Sequence, residues 1–156
     1  MKVIGLTGTI GSGKSTVLKY LNSLGYPTLQ ADHVIQYLYS KEKRLIQKIK
    51  SKFPFLYSDG KIKKNLISRN IISNPNKIKI LSDLEKIIHP YVIQKQRDFV
   101  KVAKKLGTPL VFIEMPLIFE AKLMKYYDLI ITVYAPKATC KTRLGIKTSK
   151  EKKMYK

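Results

Sequence analysis

The sequence predicts an α/β fold in three layers, a parallel sheet between helices. Short strands are read at 2–6, 26–30, 110–114 and 128–134; the first opens with an apolar run of buried-strand type, and 110–114 is a continuous apolar run, as expected for a parallel strand buried on both faces. The segments between them carry apolar residues at helical spacing. Strands that alternate with helices close into right-handed βαβ units, which build a parallel sheet. With 156 residues, 44 % of them hydrophobic, the chain suffices for one domain with a sizeable core.

Val3-Ile4-Gly5-Leu6 opens the sheet, and Gly8-Thr9-Ile10-Gly11-Ser12-Gly13-Lys14-Ser15 follows it. That octet matches G-x-x-x-x-G-K-[ST], the phosphate-binding loop. Its glycines let the backbone turn tightly enough for N–H groups to converge on phosphate oxygens. Lys14 is expected to reach the β- and γ-phosphates of ATP, and Ser15 to hold Mg²⁺. Thr16 carries the loop into a helix whose apolar face is Val17, Leu18 and Leu21. The positive end of that helix adds to anion binding, and Leu24-Gly25 stops it.

Tyr26 to Gln30 reads as the second strand, with Pro27 near its start. Ala31-Asp32-His33 leads into a helix from Val34 onward. Residues 41 to 106 are helical and Lys-rich. Leu45 and Ile49 mark one amphipathic piece, which Phe53-Pro54-Phe55 breaks, and Ser58-Asp59-Gly60 is a turn. Two further stripes, Ile62, Leu66, Ile67, Ile71 and Ile78, Leu81, Leu84, Ile88, flank Asn74-Pro75-Asn76. His89 reads as a helix boundary, because the residue before a proline is pushed out of the helical region, and a separate helix is expected beyond Pro90. Gly107 stops it. Leu110 to Glu114 and Asp128 to Tyr134 are the third and fourth strands, and Pro136 opens a last helix through Arg143.

Composition bounds the partners. No apolar run approaches the length of a membrane span, and no secretory apolar region opens the sequence, so a cytoplasmic location is expected. Cys140 is the only cysteine, which excludes an internal disulfide and fits a packing role in a reducing compartment. The net charge of +21 admits two readings. One is a polyanionic partner; the other is compositional drift, since Lys outnumbers Arg 27 to 4 and is spread along the whole chain. Nucleic acid is not the expected partner, and the sequence is silent on oligomeric state.

Only ten carboxylates exist, so acids for catalysis come from a short list. Glu114 closes an apolar strand and fits the second acidic position that orients Mg²⁺; the alternative is that it merely ends a strand. Asp32 follows the second strand and is placed to accept the proton of an incoming hydroxyl; the alternative is a helix N-cap.

Four blocks resemble the dephospho-CoA kinase family: Gly5 to Thr16, Ala31-Asp32-His33-Val34-Ile35, Leu84-Glu85-Lys86-Ile87-Ile88-His89-Pro90 and Pro116-Leu117-Ile118-Phe119-Glu120. They occur in the family's order and spacing, and the resemblance runs from residue 1 to about 147. It implies a nucleotide-kinase-like P-loop NTPase fold with a helical acceptor-binding insertion. It implies transfer of the ATP γ-phosphate to the ribose 3′-hydroxyl of dephospho-CoA, the last step of coenzyme A synthesis. Asp32 then matches the catalytic aspartate, His89, Pro90 and Glu120 the acceptor site, and Arg143 the first lid arginine. The implied organisation is one kinase domain: a nucleotide-binding core at 1–34 and 107–142, the acceptor insertion at 35–106 and a partial lid at 143–156.

The chain departs from the family in four places. Gln30 replaces the first acid of an Asp-Ala-Asp element. Lys147 occupies the second lid arginine, and a lysine lacks the bidentate fork. Lys63 or Lys64 stands where an Asp-Arg pair is usual. The family continues with a helix, a fifth strand and an adenine-packing loop, whereas this sequence stops at Lys156, so a shortened C-terminus is expected. The alternatives are a kinase for another small acceptor, or a nucleotide-binding remnant without catalysis. A GTPase is disfavoured, because no Asn-Lys-x-Asp-type element follows any apolar strand.

Overall fold

The computed structural model describes residues 1–63, 66 and 75–145. In chain order the elements are β1 (Lys2–Thr7), α1 (Lys14–Ser23), β2 (Thr28–Gln30), α2 (Ala31–Lys41), α3 (Lys43–Lys52), β3 (Tyr57–Ser58), β4 (Lys61–Ile62), α4 (Lys77–Lys105), β5 (Leu110–Glu114), β6 (Leu129–Thr132) and α5 (Lys137–Arg143). Short 3₁₀ turns stand at Pro54–Leu56 and Met124–Tyr126. No helix among the described residues is long and apolar enough to cross a membrane.

The chain divides into two compact units, one of Met1–Gln30 with the segment from Val100 onward, the other Ala31–Phe99. In the first, β1, β2, β5 and β6 form one parallel sheet in the order β2-β5-β1-β6. Successive side chains of a strand point to opposite faces, so β1 is buried twice over. Ile4 and Leu6 join Leu18 of α1 and Phe112 of β5 on one face, with Val17, Leu21 and Tyr26 packed against them. On the other face a Cβ added at Gly5 would stand 2.8 Å from Ile118 and 3.0 Å from the Tyr127 ring. The stripe Val17, Leu18, Leu21 therefore does face the core.

Helix α1 ends as Gly25 predicts. Gly25 takes φ +86°, its N–H donates to Asn22 O, and the Tyr26 N–H reaches back to Leu21 O. That is a Schellman cap, and it brings Tyr26 edge-on to Phe112 with ring centroids 5.5 Å apart. Tyr26 and Pro27 are thereby used by the cap and the bend, so the strand begins at Thr28, two residues later than the apolar run suggests. Pro27 still accepts from Phe112 N–H at 3.0 Å.

In the second unit, Leu38 of α2, Leu45 and Ile49 of α3, and Leu56 are fully buried. The turn at Ser58-Asp59-Gly60 is the tip of a small antiparallel hairpin, β3–β4, which helical periodicity did not reveal. Asp59 and Gly60 take φ +50° and +79°, the pair of left-handed residues a two-residue hairpin turn requires.

The expected boundary at His89 is absent: α4 runs through Pro90 without a break. A proline inside a helix removes one hydrogen bond and disfavours the helix by about 3 kcal/mol. Leu84, Ile88, Val92 and Ile93 are buried on either side of it, and packing over 29 residues outweighs that local preference. Part of the stripe at 67–71 lies outside the described residues.

Candidate functional site

The phosphate loop begins where β1 ends. Thr7 is buried and its Oγ1 donates to Pro116 O at 3.0 Å, tying the strand's end to the segment after β5. Gly8 then takes φ +140°, and a Cβ there would run into the carbonyl of Val133. Gly11 takes φ +80°, and a Cβ there would stand 2.9 Å from Cys140 O and 3.1 Å from Cys140 Cα. The loop thus rests on backbone at two points, and at both only glycine fits.

Gly13 is the N-cap of α1 in the left-handed region, with no side-chain cap and no acid in the first turn. Thr16 and Val17 donate to Gly13 O at 3.0 and 3.1 Å. The start of α1 is therefore a helix N-terminus without a side-chain anion of its own, a local field suited to phosphate.

Two cations hold the loop's carbonyls. Lys14, buried, donates from Nζ to Gly8 O at 2.8 Å and Thr9 O at 3.0 Å. Arg143 donates from Nη1 to Gly11 O and Ser12 O, each at 3.1 Å. Ser12 N–H closes the turn onto Thr9 O at 3.2 Å. The Ser12 hydroxyl is buried without a hydrogen-bond partner among the described residues.

At the start of α1, Ser15 Oγ accepts a long hydrogen bond from Gln30 Nε2 at 3.4 Å. Glu114 is buried at the end of β5, in register with Leu6 of β1 and Gln30 of β2. Among the described residues no cluster of three or more His, Cys, Asp or Glu stands ready to hold a metal. A hydroxyl and one carboxylate instead suit a hard ion that arrives with phosphates, keeps several waters and takes few protein ligands.

The remaining predicted residues lie apart from the loop in sequence. Asp32 is exposed in the first turn of α2, which starts at Ala31, so it is not the N-cap. His89 is half-buried within α4, and its Nε2 is buried with no hydrogen-bond partner among the described residues. Pro90 and Glu120 are exposed. Glu120 follows fully buried Ile118, with Leu117 and Phe119 half-exposed around it. Lys63 pairs with Asp59 at 2.8 Å, while Lys64 and Lys147 lie outside the described residues.

Sequence reading missed how Arg143 meets the loop, because the partners are 131 and 132 residues apart and no local pattern records them. It also read Cys140 as packing alone. The residue is buried, and its backbone is the floor under Gly11.

Comparison with known proteins agrees with this geometry. The sequence model of the dephospho-CoA kinase family matches residues 2–152. The dephospho-CoA kinase of Bartonella henselae is 37 % identical over 155 residues, covering 99 % of this chain and 77 % of that protein. That of Bartonella quintana is 36 % identical with the same coverage. Among solved structures, TT1252 from Thermus thermophilus superposes with a TM-score of 0.71 at 32 % identity, covering 99 % of this chain and 77 % of that one. The dephospho-CoA kinase from Campylobacter jejuni gives 0.60 at 24 % identity, covering 99 % and 84 %, a likeness of fold. The chain belongs to the dephospho-CoA kinase family and is a phosphotransferase.

Proposed function

We propose that this chain transfers the γ-phosphoryl group of ATP to the ribose 3′-hydroxyl of dephospho-CoA, giving coenzyme A and ADP. The 3′ oxygen forms the new bond to phosphorus, the bond from the γ-phosphorus to the β–γ bridging oxygen breaks, and the hydroxyl proton leaves to a base. The observation that carries the reading is the glycine-built loop, with two cations on its carbonyls, at the end of β1 in a chain of this family.

Each residue then has a task. In the loop formed by Gly8, Thr9, Ile10, Gly11, Ser12, Gly13, Lys14, Ser15 and Thr16, the backbone N–H groups not spent on the loop's own turns cradle the phosphates, and Lys14 neutralises charge on the β- and γ-phosphates. Ser15 and Glu114 would hold Mg²⁺, which supplies charge neutralisation across the β- and γ-phosphates when bound. Asp32 follows Gln30 by two residues and accepts the hydroxyl proton; positioning matters more than base strength in phosphoryl transfer. His89 offers the acceptor its buried ring nitrogen, which has no hydrogen-bond partner among the described residues, and Pro90 and Glu120 shape that side. Arg143 and Lys147 lend positive charge to the transferring group from a lid at 143–156. The core at 1–34 and 107–142 serves the nucleotide, and the insertion at 35–106 serves the acceptor. Both substrates are water-soluble, and the reading sets the protein in the cytoplasm.

A coupled ADP-release assay with ATP, Mg²⁺ and dephospho-CoA tests the proposal. Dephospho-CoA is expected to stimulate release, and Asp32→Asn to lower the stimulated rate by about 10²-fold or more with ATP binding retained. Binding of ATP without any stimulation by dephospho-CoA would sink it. A panel of nucleosides and nucleotides as acceptors separates this reaction from that of another small-molecule kinase.

A further inference from the structure

Arg143 ends α5 far along the chain from the loop, yet a single guanidinium nitrogen, Nη1, meets two successive loop carbonyls. We propose that Arg143 is a positioning residue for the phosphate loop: by holding Gly11 O it keeps Ser12 N–H on the turn that closes to Thr9 O, and by holding Ser12 O it sets the direction of Gly13 N–H, which receives phosphate. This role precedes any action on the transferring phosphoryl group. It rests on the loop being the phosphate cradle and not on the identity of the acceptor.

Peptide geometry carries the step from carbonyl to N–H. A trans peptide is planar, so its C=O and the following N–H point in opposite directions. Drawing Gly11 O toward Arg143 turns Ser12 N–H the other way, where it closes onto Thr9 O at 3.2 Å. Drawing Ser12 O toward Arg143 likewise aims Gly13 N–H away from the arginine. Lys14 does the same for the other half of the loop, since anchoring Gly8 O and Thr9 O orients the N–H groups of Thr9 and Ile10. Four carbonyls are thus held by two cations, Lys14 from within the loop and Arg143 from the end of α5.

The stretch that Arg143 anchors needs an anchor. Gly11 and Gly13 have φ of +80° and +105°, and glycine loses more backbone freedom on ordering than any other residue. Arg143 Nη1 also stands 3.3 Å from where a Cβ of Gly13 would be, so the guanidinium lies along the loop rather than touching its edge. Arginine has five N–H donors, and two are used here. The others make no hydrogen bond among the described residues, so the same group can hold the loop and meet a phosphate oxygen.

Nucleotide affinity separates this role from one confined to the transferring group, because ADP lacks the γ-phosphate. The experiment uses the full chain with Arg143→Gln and Arg143→Lys. It reads hydrogen exchange over residues 8–15 without nucleotide, ADP affinity by calorimetry, and kcat. Arg143→Gln is expected to speed loop exchange about tenfold and to weaken ADP about tenfold, roughly the effect of losing charge-assisted hydrogen bonds. Arg143→Lys is expected to restore exchange and ADP affinity to within about threefold, since one ammonium can donate to both carbonyls, while kcat stays low for want of the fork. Wild-type exchange in Arg143→Gln overturns the inference. So does an ADP affinity within about twofold of wild type in Arg143→Gln with the loss confined to kcat, or an Arg143→Lys loop as loose as that of Arg143→Gln. Failure of the acceptor assignment shows up separately, as wild-type protein that binds ADP but gains nothing from dephospho-CoA.

Discussion

Gln30 donates from its amide nitrogen to the hydroxyl of Ser15 at 3.4 Å, joining the end of β2 to the first turn of α1. The neutral amide stands beside the hydroxyl proposed to hold Mg²⁺, at a position where the family's aspartate would put a negative charge. Replacing Gln30 by Asp adds a hard oxygen donor and an attractive charge there. Gln30→Asp is expected to strengthen Mg²⁺ affinity by about fivefold. Titration of Mn²⁺ as a paramagnetic stand-in, alongside the Mg²⁺ dependence of turnover, measures it. Equal affinity in both proteins would place the ion away from Ser15.

Two glycines with positive φ predict losses of different size, and only one of them reaches ATP binding. At Gly25, φ is +86° and a Cβ would meet nothing within 4 Å, so Gly25→Ala bears only the left-handed penalty of about 1–2 kcal/mol. At Gly8, φ is +140° and the added carbon collides with Val133 O, so the backbone must shift. Gly8→Ala is expected to cost about 3 kcal/mol, or roughly 6–12 °C in Tm for a chain this long, and to abolish ATP binding. Gly25→Ala should lose roughly half as much in Tm and keep ATP affinity within about twofold. Thermal melts with and without ATP check both.

The parallel sheet and the loop were legible because their causes are local. The apolar runs of β1 and β5 specify buried strands, although the equally apolar β6 is mostly exposed, and the loop's glycines and lysine specify its conformation within eight residues. Helix ends marked by Gly25 and Gly107 were equally plain, since each sits at the C′ position of a Schellman cap. What stayed hidden depends on distance in sequence or on competition between terms. Arg143 meets Gly11 from 132 residues along the chain, and Cys140 supports it through backbone, which side-chain identity does not announce. Pro90 reads as a helix end by local preference, and only the buried residues around it show why the helix continues. The hairpin at 57–62 is too short for any period to register.

Asp128 supplies a pH dependence. Its Oδ2 accepts from Val3 N–H at 2.7 Å and its Oδ1 lies 3.5 Å from Lys2 Nζ. The backbone hydrogen bond from Val3, and then the Lys2 charge, hold its carboxyl below the usual carboxylate range. A carboxylate depressed in the folded state stabilises above its unfolded pKa of about 3.9, and that contribution disappears as pH falls through the lower folded value. Asp128→Asn is therefore expected to unfold at lower urea than wild type at pH 7. The gap should close as the pH drops below about 4. A gap of the same size at pH 2.5 and pH 7 would show that the carboxylate charge is not what ties the entry of β6 to β1.

Pro90 sets stability against function within α4. The helix is continuous through it, so residue 90 lacks one N–H donor and its ring crowds the carbonyl of Lys86. Its side chain is exposed, so truncation opens no cavity. Pro90→Ala restores the missing hydrogen bond and a favourable helix residue, and is expected to stabilise the chain by about 1–3 kcal/mol. That proline follows His89, whose buried Nε2 has no hydrogen-bond partner among the described residues. Restoring the missing hydrogen bond resets the backbone that carries the imidazole. KM for dephospho-CoA should then rise by about tenfold while KM for ATP stays within about twofold, and Tm rises. Urea unfolding and two-substrate kinetics on the same preparation read both effects. A variant that gains stability with its acceptor KM unchanged would make Pro90 a bystander to the site. A variant that loses stability would show that the ring makes packing contacts its exposure does not suggest.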